Sequence, residues 1–284
     1  MSNSTITIIT HDGVFHADEV MAVAIVSYFE PAADITVVRT RDTDTFSSAD
    51  FVFDIGGIYE PKKGLFDHHQ KNGAGVRRNG IPYATSGLVW NFFGSNLGLK
   101  ISEDVDQVLM EAIDAIDTGC LIPDTCEFHF SQYISGYNRV EDGSMAQHEA
   151  FYKAVAVSLE CLDNTIKKCA EKVAAEKIVD KAAKTSTQGI LILEKFVPWQ
   201  DAVKENHPTI QRVIFPDAMG NGFRVQVVEG TSYLPEEWRG LRDEELDLVT
   251  GIQGGVFVHP AGFICGHTTY EGALALAKAS LPEA

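Results

Sequence analysis

Histidine and aspartate residues that could hold metal ions occur in four short groups in the first part of the chain. The groups are His11-x4-His16-x-Asp18, the single Asp54, Asp67-His68-His69, and Asp117 followed by Thr118-Gly119. Imidazole and carboxylate ligands without thiolate are typical of hydrolytic sites for Mn, Fe, Co or Zn, not of structural zinc sites. With two divalent ions, three ligating aspartates leave the centre one charge positive, which suits an anionic phosphate. These residue types indicate metal-assisted hydrolysis of a phosphoester.

The sequence around these groups predicts that they meet at one edge of a sheet. Strands are predicted at 5–10, 35–39 and 51–54, and helices are predicted at 19–29 and from Ser102 to Asp117. Ligands in α/β folds bind at the carboxyl ends of the strands, where His11 and Asp54 are expected. Considered singly, a turn aspartate or a solvated histidine is the commoner role. The shared position of six candidates at element ends favours a site.

The order of elements predicts an α/β fold with two lobes, because 284 residues exceed what one hydrophobic core usually supports. Strands alternate with helices over the first lobe, which predicts a mostly parallel sheet. Residues 146–184 are rich in Ala, Lys and Glu and contain no Gly or Pro, which predicts a long helix. Short strands and a closing helix follow. The predicted parts are a metal-binding domain at 1–143, a connecting helix at 144–186 and a smaller domain at 187–284.

The long helix carries an apolar stripe at spacings of three and four residues. Its members are Val155, Leu159, Leu162, Ile166, Cys169 and Val173. The stripe has two interpretations: it packs against the chain's own lobes, or it forms the seam of a homodimer. Glu176 interrupts the stripe, which favours the connector, and a homodimer stays the alternative.

The composition limits the kinds of partner. The chain has 40 acidic and 23 basic residues, a formal charge of -17. This charge disfavours binding to duplex DNA or to an anionic membrane through a large electrostatic surface. The five cysteines are odd in number and include no C-x-x-C pair, which favours a reducing compartment. No stretch reaches the roughly 20 apolar residues of a membrane span. We therefore expect a cytoplasmic protein with no membrane partner.

Seven segments spread along the chain also form a recognisable set. They are THDGVFHADE (10–19), DIGG (54–57), DHHQ (67–70), AIDTG (115–119), PW (198–199), WRGLRDEEL (238–246) and FVHPAGFICGH (257–267). The segment around Asp67-His68-His69 resembles the DHH phosphoesterase superfamily, and the whole chain resembles its MYG exonuclease (melanocyte proliferating gene) family. The resemblance implies a DHH-type catalytic domain, the long connecting helix and a DHH-associated substrate-binding domain.

The resemblance also implies a site with two divalent metal ions, for which manganese is the expected metal. One ion would be held by His11, His16 and Asp54, and the other by Asp18, Asp54, His68 and Asp117. Asp54 would bridge the ions and would therefore be catalytic. Wider DHH enzymes have aspartate where this chain has His16, and this departure matches the MYG branch.

Further roles are expected for residues near these ligands. His69 is placed to contact the phosphate or to protonate the leaving oxygen, for which an imidazole is suited. Asp67 would orient His68 from outside the ligand set.

Substrate-binding residues are expected in both lobes. Gly266 and His267 lie in a segment that resembles the glycine-rich substrate motif of DHH nucleases, where glycine lets a phosphate approach the backbone. That motif has three glycines before the histidine, whereas this chain keeps only Gly266. Arg77 and Arg78, in a Gly-rich loop after His69, are the cations expected to position phosphates.

The resemblance implies an exonuclease that hydrolyses short single-stranded RNA or oligonucleotides with metal-activated water. A small-nucleotide phosphodiesterase or a pyrophosphatase is the enzymatic alternative, because the same metal site serves either substrate. A non-catalytic nucleotide-binding regulatory protein is an alternative of another class, and the complete ligand set argues against it.

Overall fold

The computed structural model of the protein describes residues 4–122 and 128–282, so Cys126 lies outside the described residues. Its internal contacts divide the chain into two units, Met1–Cys169 and Ala170–Ala284. Each unit contains a five-stranded sheet with helices. The predicted α/β class is confirmed.

The sheet of the first unit has three parallel strand pairs and one antiparallel pair. Its strands are β1 (Thr5–Thr10), β2 (Asp34–Arg39), β3 (Phe51–Phe53), β4 (Tyr59–Glu60) and β5 (Leu65–Phe66). Their order is β2-β1-β3-β5-β4, and only the edge strand β4 runs antiparallel to its neighbour. The carboxyl ends of β1, β3 and β5 therefore lie at the same edge.

In the part of this unit that the structure describes, five helices precede the long helix. They are α1 (Ala17–Phe29), α2 (Thr85–Phe93), α3 (Leu99–Val105), α4 (Glu111–Asp117) and α5 (Phe130–Ser135). Residues 20–26 of α1 are all buried, because an almost unbroken apolar run places this helix inside the core. A π-helical stretch, Asp106–Met110, joins α3 to α4 without a break. The helix predicted from Ser102 therefore begins three residues earlier, at Leu99.

The long helix α6 runs from Ser144 to Ala183 and contributes to the cores of both units. Val155, Leu162 and Ile166 are buried in the core of the first unit. Ala175 and Val179 are buried in the core of the second unit. The apolar stripe is thus largely covered by the chain's own units.

As far as it is described, the second unit is a mainly antiparallel sheet with three further helices. Its strands are β6 (Ile190–Ile192), β7 (Arg212–Pro216), β8 (Phe223–Val227), β9 (Gly255–Val258) and β10 (Ile264–His267), and its helices are α7 (Gln200–Asn206), α8 (Asp243–Thr250) and α9 (Tyr270–Ala279). The strand order is β6-β7-β8-β10-β9, with β6 and β7 parallel.

Short 3-10 turns occur in both units, at Thr43–Ser48, Pro61–Lys63, Gly94–Leu97, Val140–Asp142 and Glu236–Trp238. Across the described ranges, no helix has the length and apolar character needed to cross a membrane.

Candidate metal centre

The carboxyl ends of three neighbouring strands carry the predicted ligands. His11 follows β1, Asp54 follows β3, and Asp67-His68-His69 follows β5. Asp54 has a φ of 55°, in the left-handed region that aspartate tolerates better than most residues. This backbone turn ends β3 and brings the carboxylate to the edge of the sheet.

Two helix ends supply the other ligands. His16 is the residue that precedes α1, and Asp18 lies in the first turn of that helix, where the partial positive charge of the helix favours a carboxylate. Asp117 is the last residue of α4. The Glu19 carboxylate accepts the backbone N–H of His16 at 2.9 and 3.0 Å, which fixes the start of α1.

The Asp54 carboxylate lies between two histidine rings. Its Oδ2 is 3.3 Å from His11 Nε2, and its Oδ1 is 3.1 Å from His68 Nε2. His68 Nε2 is also 3.1 Å from Asp117 Oδ2 and 3.8 Å from Asp18 Oδ2. Since each Asp54 oxygen faces a different histidine, the carboxylate has the position that a bridging ligand requires.

Among residues 4–122 and 128–282, three sets of ligand atoms lie close enough to hold a metal ion, with all the atoms of a set within 4.8 Å of one another. The sets are His11, His16, Glu19 and Asp54; Asp54, Asp67, His68 and His69; and His16, Asp18 and Asp117. The structure therefore brings together all six predicted ligands and places Glu19, Asp67 and His69 beside them.

Burial and crowding of like charges shape the electrostatics of this cluster. Burial, with the neighbouring charges of Asp54 and Asp117, raises the pKa of Asp18 well above its usual value. Burial lowers the pKa of His68, but its contacts with Asp117 and Asp54 outweigh that effect and raise the pKa to about 10. His11 behaves alike: burial opposes the charged form, yet Asp54 and Glu19 raise its pKa to about 10. Burial opposes the charge of Asp54, but His11 and His68 hold its pKa below the usual range. The cluster attracts positive charge.

Two buried atoms of the cluster have the character of metal ligands. Among the described residues, neither His68 Nε2 nor Asp18 Oδ1 has a hydrogen-bond partner, although both are inaccessible to water. Buried polar atoms in folded proteins are nearly always satisfied, so two such atoms within one carboxylate cluster need a common explanation. A divalent ion supplies one, because imidazole nitrogen and carboxylate oxygen are its ordinary ligands. The residues present thus fit a metal.

Asp67 orients His69 more directly than it orients His68. Its Oδ1 lies 2.8 Å from the Nδ1 of His69 and accepts the backbone N–H groups of His68 and His69 at 2.7 and 3.1 Å. Its Oδ2 accepts the N–H of Gly57. A carboxylate in this position keeps the proton on Nδ1 of His69. The predicted contact with His68 is to its backbone, and the ring held by Asp67 is that of His69.

The cluster lines a cavity of about 990 Å³ in the first unit. Asp54, Asp117, His16 and the 62 % exposed His69 side chain are on its surface. Residues of α5 and the residue before it line the cavity as well, namely His129, Ser131, Gln132 and Ser135. Among the described lining residues, Arg41 is the one arginine or lysine, and it pairs with Asp12 at 3.0 Å.

Sequence reasoning did not assign Glu19 and Thr85 to the site. Glu19 Oε1 is 3.2 Å from His11 Nε2, and its position three residues after His16 is a helix-capping signal that could have identified it. Thr85 donates its hydroxyl to Asp54 Oδ1 at 3.2 Å and its N–H to Asp18 Oδ2 at 3.3 Å. Thr85 had no such signal, because its partners lie 31 and 67 residues away.

The two arginines expected to bind phosphate have different surroundings. Arg77 is buried, contacts Asp106 at 2.7 and 2.9 Å and Asp114 at 2.8 Å, and lies over the ring of Tyr83. It is not among the described residues that line the cavity. Arg78 is exposed. The structure therefore gives Arg77 a structural ion pair in place of the expected phosphate contact.

His267 in the second unit also differs from the expected phosphate contact. It is 1 % exposed, and its Nε2 lies 2.9 Å from the carbonyl oxygen of Gln253. Its Nδ1 accepts the N–H of Thr269 at 3.0 Å. The ring packs so closely on Gly272 that a Cβ at that position would lie 1.9 Å from the His267 ring. Gly266 lies in β10 under Arg224 and Phe257. Both ring nitrogens of His267 are thus occupied by the backbone.

Comparison with known proteins gives one family and several full-length relatives. The family model MYG1_exonuc, described as "Uncharacterised protein family (UPF0160)", matches residues 7–281. A MYG1 protein of Schizosaccharomyces pombe is 32% identical over 98% of this chain and 98% of its own length. A MYG1 protein of Caenorhabditis elegans is 31% identical over 96% of this chain and 94% of its own length. A Homo sapiens protein named MYG1 exonuclease is 30% identical over 96% of this chain and 85% of its own length.

Proposed function

The chain belongs to the MYG1 exonuclease family, and from this premise we propose that it is a divalent-metal-dependent exonuclease of the DHH type. Its substrate would be short single-stranded RNA or another oligonucleotide. The observation that supports this best is the Asp54 carboxylate, which faces His11 with one oxygen and His68 with the other. A carboxylate with its two oxygens directed to different histidines can contact two ions at once, as a hydrolytic site with two metal ions would use it.

The ligands of the two ions would be those of the cluster. His11, His16 and Asp54 would hold one ion, with Glu19 beside them, and Asp18, Asp54, His68 and Asp117 would hold the other. Bound divalent ions, for which manganese is our candidate, supply charge for the phosphoryl oxygens and lower the pKa of water. Thr85 would keep Asp18 and Asp54 in place through its two hydrogen bonds.

His69 would exchange a proton with the leaving oxygen. Asp67 holds the Nδ1 side of the ring, so Nε2 is the nitrogen available to the substrate. The side chain is exposed at the cavity, where a scissile phosphate beside Asp54 would lie. General acid–base catalysis needs a positioned imidazole of this kind.

The charge of the cavity favours a short substrate over a long polyanion. Arg41 is the single arginine or lysine along the lining in the described ranges, and Asp12 partly neutralises it. Serine and glutamine side chains of α5 offer neutral hydrogen bonds, which suit a sugar or a base. The same feature favours the second candidate, a phosphodiesterase of dinucleotides, over a pyrophosphatase whose substrate carries more charge.

Metal analysis with a substrate panel tests the proposal. The purified protein should contain divalent metal, and chelation should abolish hydrolysis until metal is returned. The panel contains short RNA, short DNA, dinucleotides and pyrophosphate, and we expect the highest kcat/KM on short RNA. Failure on all four with metal bound would overturn the enzymatic proposal and favour a regulatory protein.

A ligand variant tests the site itself. Asp54→Asn should lose metal and reduce hydrolysis by more than about 100-fold, because even residues that only orient ligands typically cost 10- to 100-fold. Asp44→Asn, which removes an exposed carboxylate from a 3-10 turn, is the matched control. A folded Asp54→Asn protein with normal metal content and turnover would contradict the assignment of the metal site.

A further inference from the structure

A row of aromatic side chains lies at the surface beside the cavity of the first unit. Phe128, Tyr133 and Tyr137 follow one another with ring centroids 6.1 and 5.6 Å apart. The two tyrosine hydroxyls are 3.2 Å apart. Phe128 is 80% exposed and Tyr133 is 43% exposed. A contiguous group of exposed aromatic side chains indicates a binding surface, because leaving their apolar area in contact with water is unfavourable.

The row is continuous with the wall of the cavity. Helix α5 presents Ser131 and Ser135 to the cavity, while Tyr133 lies in an adjoining groove of about 440 Å³. Gln132 lines both the cavity and the groove. A chain molecule whose end occupies the cavity would therefore meet the aromatic row next.

Hydrogen bonds tie this segment to the loop that carries His11 and His16. The Asn138 side chain accepts the N–H of Phe15 at 3.0 Å and donates to its carbonyl oxygen at 3.0 Å. Gln147 Nε2 donates to the carbonyl oxygen of Gly13 at 2.8 Å and to Asn138 Oδ1 at 2.6 Å. The row therefore has a fixed position relative to the metal ligands, as a substrate track requires.

The positively charged side chain of Arg139 lies next to the aromatic row. Arg139 lines the groove, and its Nη1 donates to the carbonyl oxygens of Gly136 and Asn138 at 3.0 and 2.7 Å. In the described ranges, no carboxylate lies within ion-pair distance of its guanidinium, in contrast to Arg77. The positive charge is therefore available to an anion. Aromatic rings with an adjacent arginine are the combination by which proteins hold single-stranded nucleic acid without sequence preference.

We propose that Phe128, Tyr133 and Tyr137 stack on bases of the single-stranded segment that follows the nucleotide at the metal centre, and that Arg139 contacts its phosphate. This inference rests on the proposed nuclease function and adds a site for the rest of the substrate. Its consequence is that activity depends on substrate length: a dinucleotide ends at the cavity, whereas a longer strand gains the aromatic row.

The test compares a dinucleotide with a single-stranded RNA of about ten nucleotides. The double variant Phe128→Ala with Tyr133→Ala should lower kcat/KM on the longer RNA by roughly 5- to 150-fold for each stacked base that is lost. Its kcat/KM on the dinucleotide and its metal content should stay at the wild-type level. Equal losses on both substrates, or no loss on either, would overturn the proposal.

Two further variants separate stacking from apolar contact and from folding. Phe128→Leu with Tyr133→Leu keeps apolar volume but removes the flat rings, so it should behave as the alanine pair does. Tyr133→Phe keeps the ring and should behave as the wild type. A leucine pair with wild-type activity on the longer RNA would indicate an apolar docking surface and would contradict stacking. Phe92→Ala is the control, because Phe92 is 44% exposed in the same unit and is not among the described cavity-lining residues.

A binding measurement keeps this inference separate from the proposed function. Fluorescence anisotropy of a labelled single-stranded RNA gives the Kd for the wild type and for the alanine pair, whether or not the RNA is hydrolysed. Absent hydrolysis with a Kd that weakens in the alanine pair would reject the nuclease function and retain the aromatic site. An unchanged Kd would reject the aromatic site.

Discussion

The side chains of two histidines with little exposure differ in whether their ring nitrogens are hydrogen-bonded. They are His68, at the edge of the first sheet, and His267, at the end of β10. Carboxylate oxygens of Asp54 and Asp117 lie near His68 Nε2, yet this atom has no hydrogen-bond partner among the described residues. Both nitrogens of His267 are bonded to backbone groups, Gln253 O and Thr269 N. Both side chains have little contact with solvent, yet they differ in their capacity to bind a ligand. The unsatisfied atoms distinguish a ligand site from a structural one.

The two arginines predicted to bind phosphate also differ in whether their side chains are paired within the protein. Arg77 directs its donors to Asp106 and Asp114 inside the first unit, whereas Arg78 next to it is exposed. A side chain that forms a buried ion pair cannot leave it for a substrate without exposing an unpaired charge. Three substitutions test whether each group binds ligand or maintains the fold.

The largest effect is expected at His69, beside the ligand cluster. His69→Ala should lower kcat by about 10²–10⁴-fold, the range for a general acid–base group. Metal content should be unchanged, because the predicted ligands do not include this residue. Steady-state kinetics with metal analysis measures both quantities. Loss of metal with the ring would show that His69 is a ligand, and His148→Ala, an exposed histidine on α6, is the control.

The next effect concerns Arg77. Arg77→Met should lower the free energy of unfolding by about 3–5 kcal/mol, because it leaves the Asp114 carboxylate buried without its cation. Urea unfolding measures the change, and Arg78→Met should stay within about 0.5 kcal/mol of the wild type. If Arg77→Met kept its stability but raised KM for short RNA, the predicted phosphate contact would be restored.

The smallest effect is expected at His267. His267→Ala should lower the free energy of unfolding by about 2–4 kcal/mol, because Gln253 O and Thr269 N lose their partner and a cavity opens against Gly272. At a temperature where the variant is folded, kcat/KM on short RNA should be that of the wild type. His267→Gln, which can still donate and accept, should recover part of the stability. A selective loss of kcat/KM in a fully folded variant would instead support a phosphate contact.

Local sequence patterns determined the elements that carry the ligands. The Thr and Ile alternation predicted β1 at its observed bounds, 5–10, and the predicted strand at 51–54 contains β3. These patterns depend on neighbours in the chain, whose spacing is the same in any fold. Since parallel strands end at a common edge, the six predicted ligands could be expected together before any distance was known.

Partners distant in sequence were decided only by the tertiary structure. Thr85 reaches Asp18 and Asp54 because α2 packs on α1, and no local pattern marks it. Arg77 reaches Asp114 because Gly87 leaves room: a Cβ there would lie 2.0 Å from Asp114 Oδ2. Side chains such as Arg77 and His267 can bind a phosphate or pair within the protein with the same chemistry. Which of these they do depends on which atoms close packing places within about 3 Å of them.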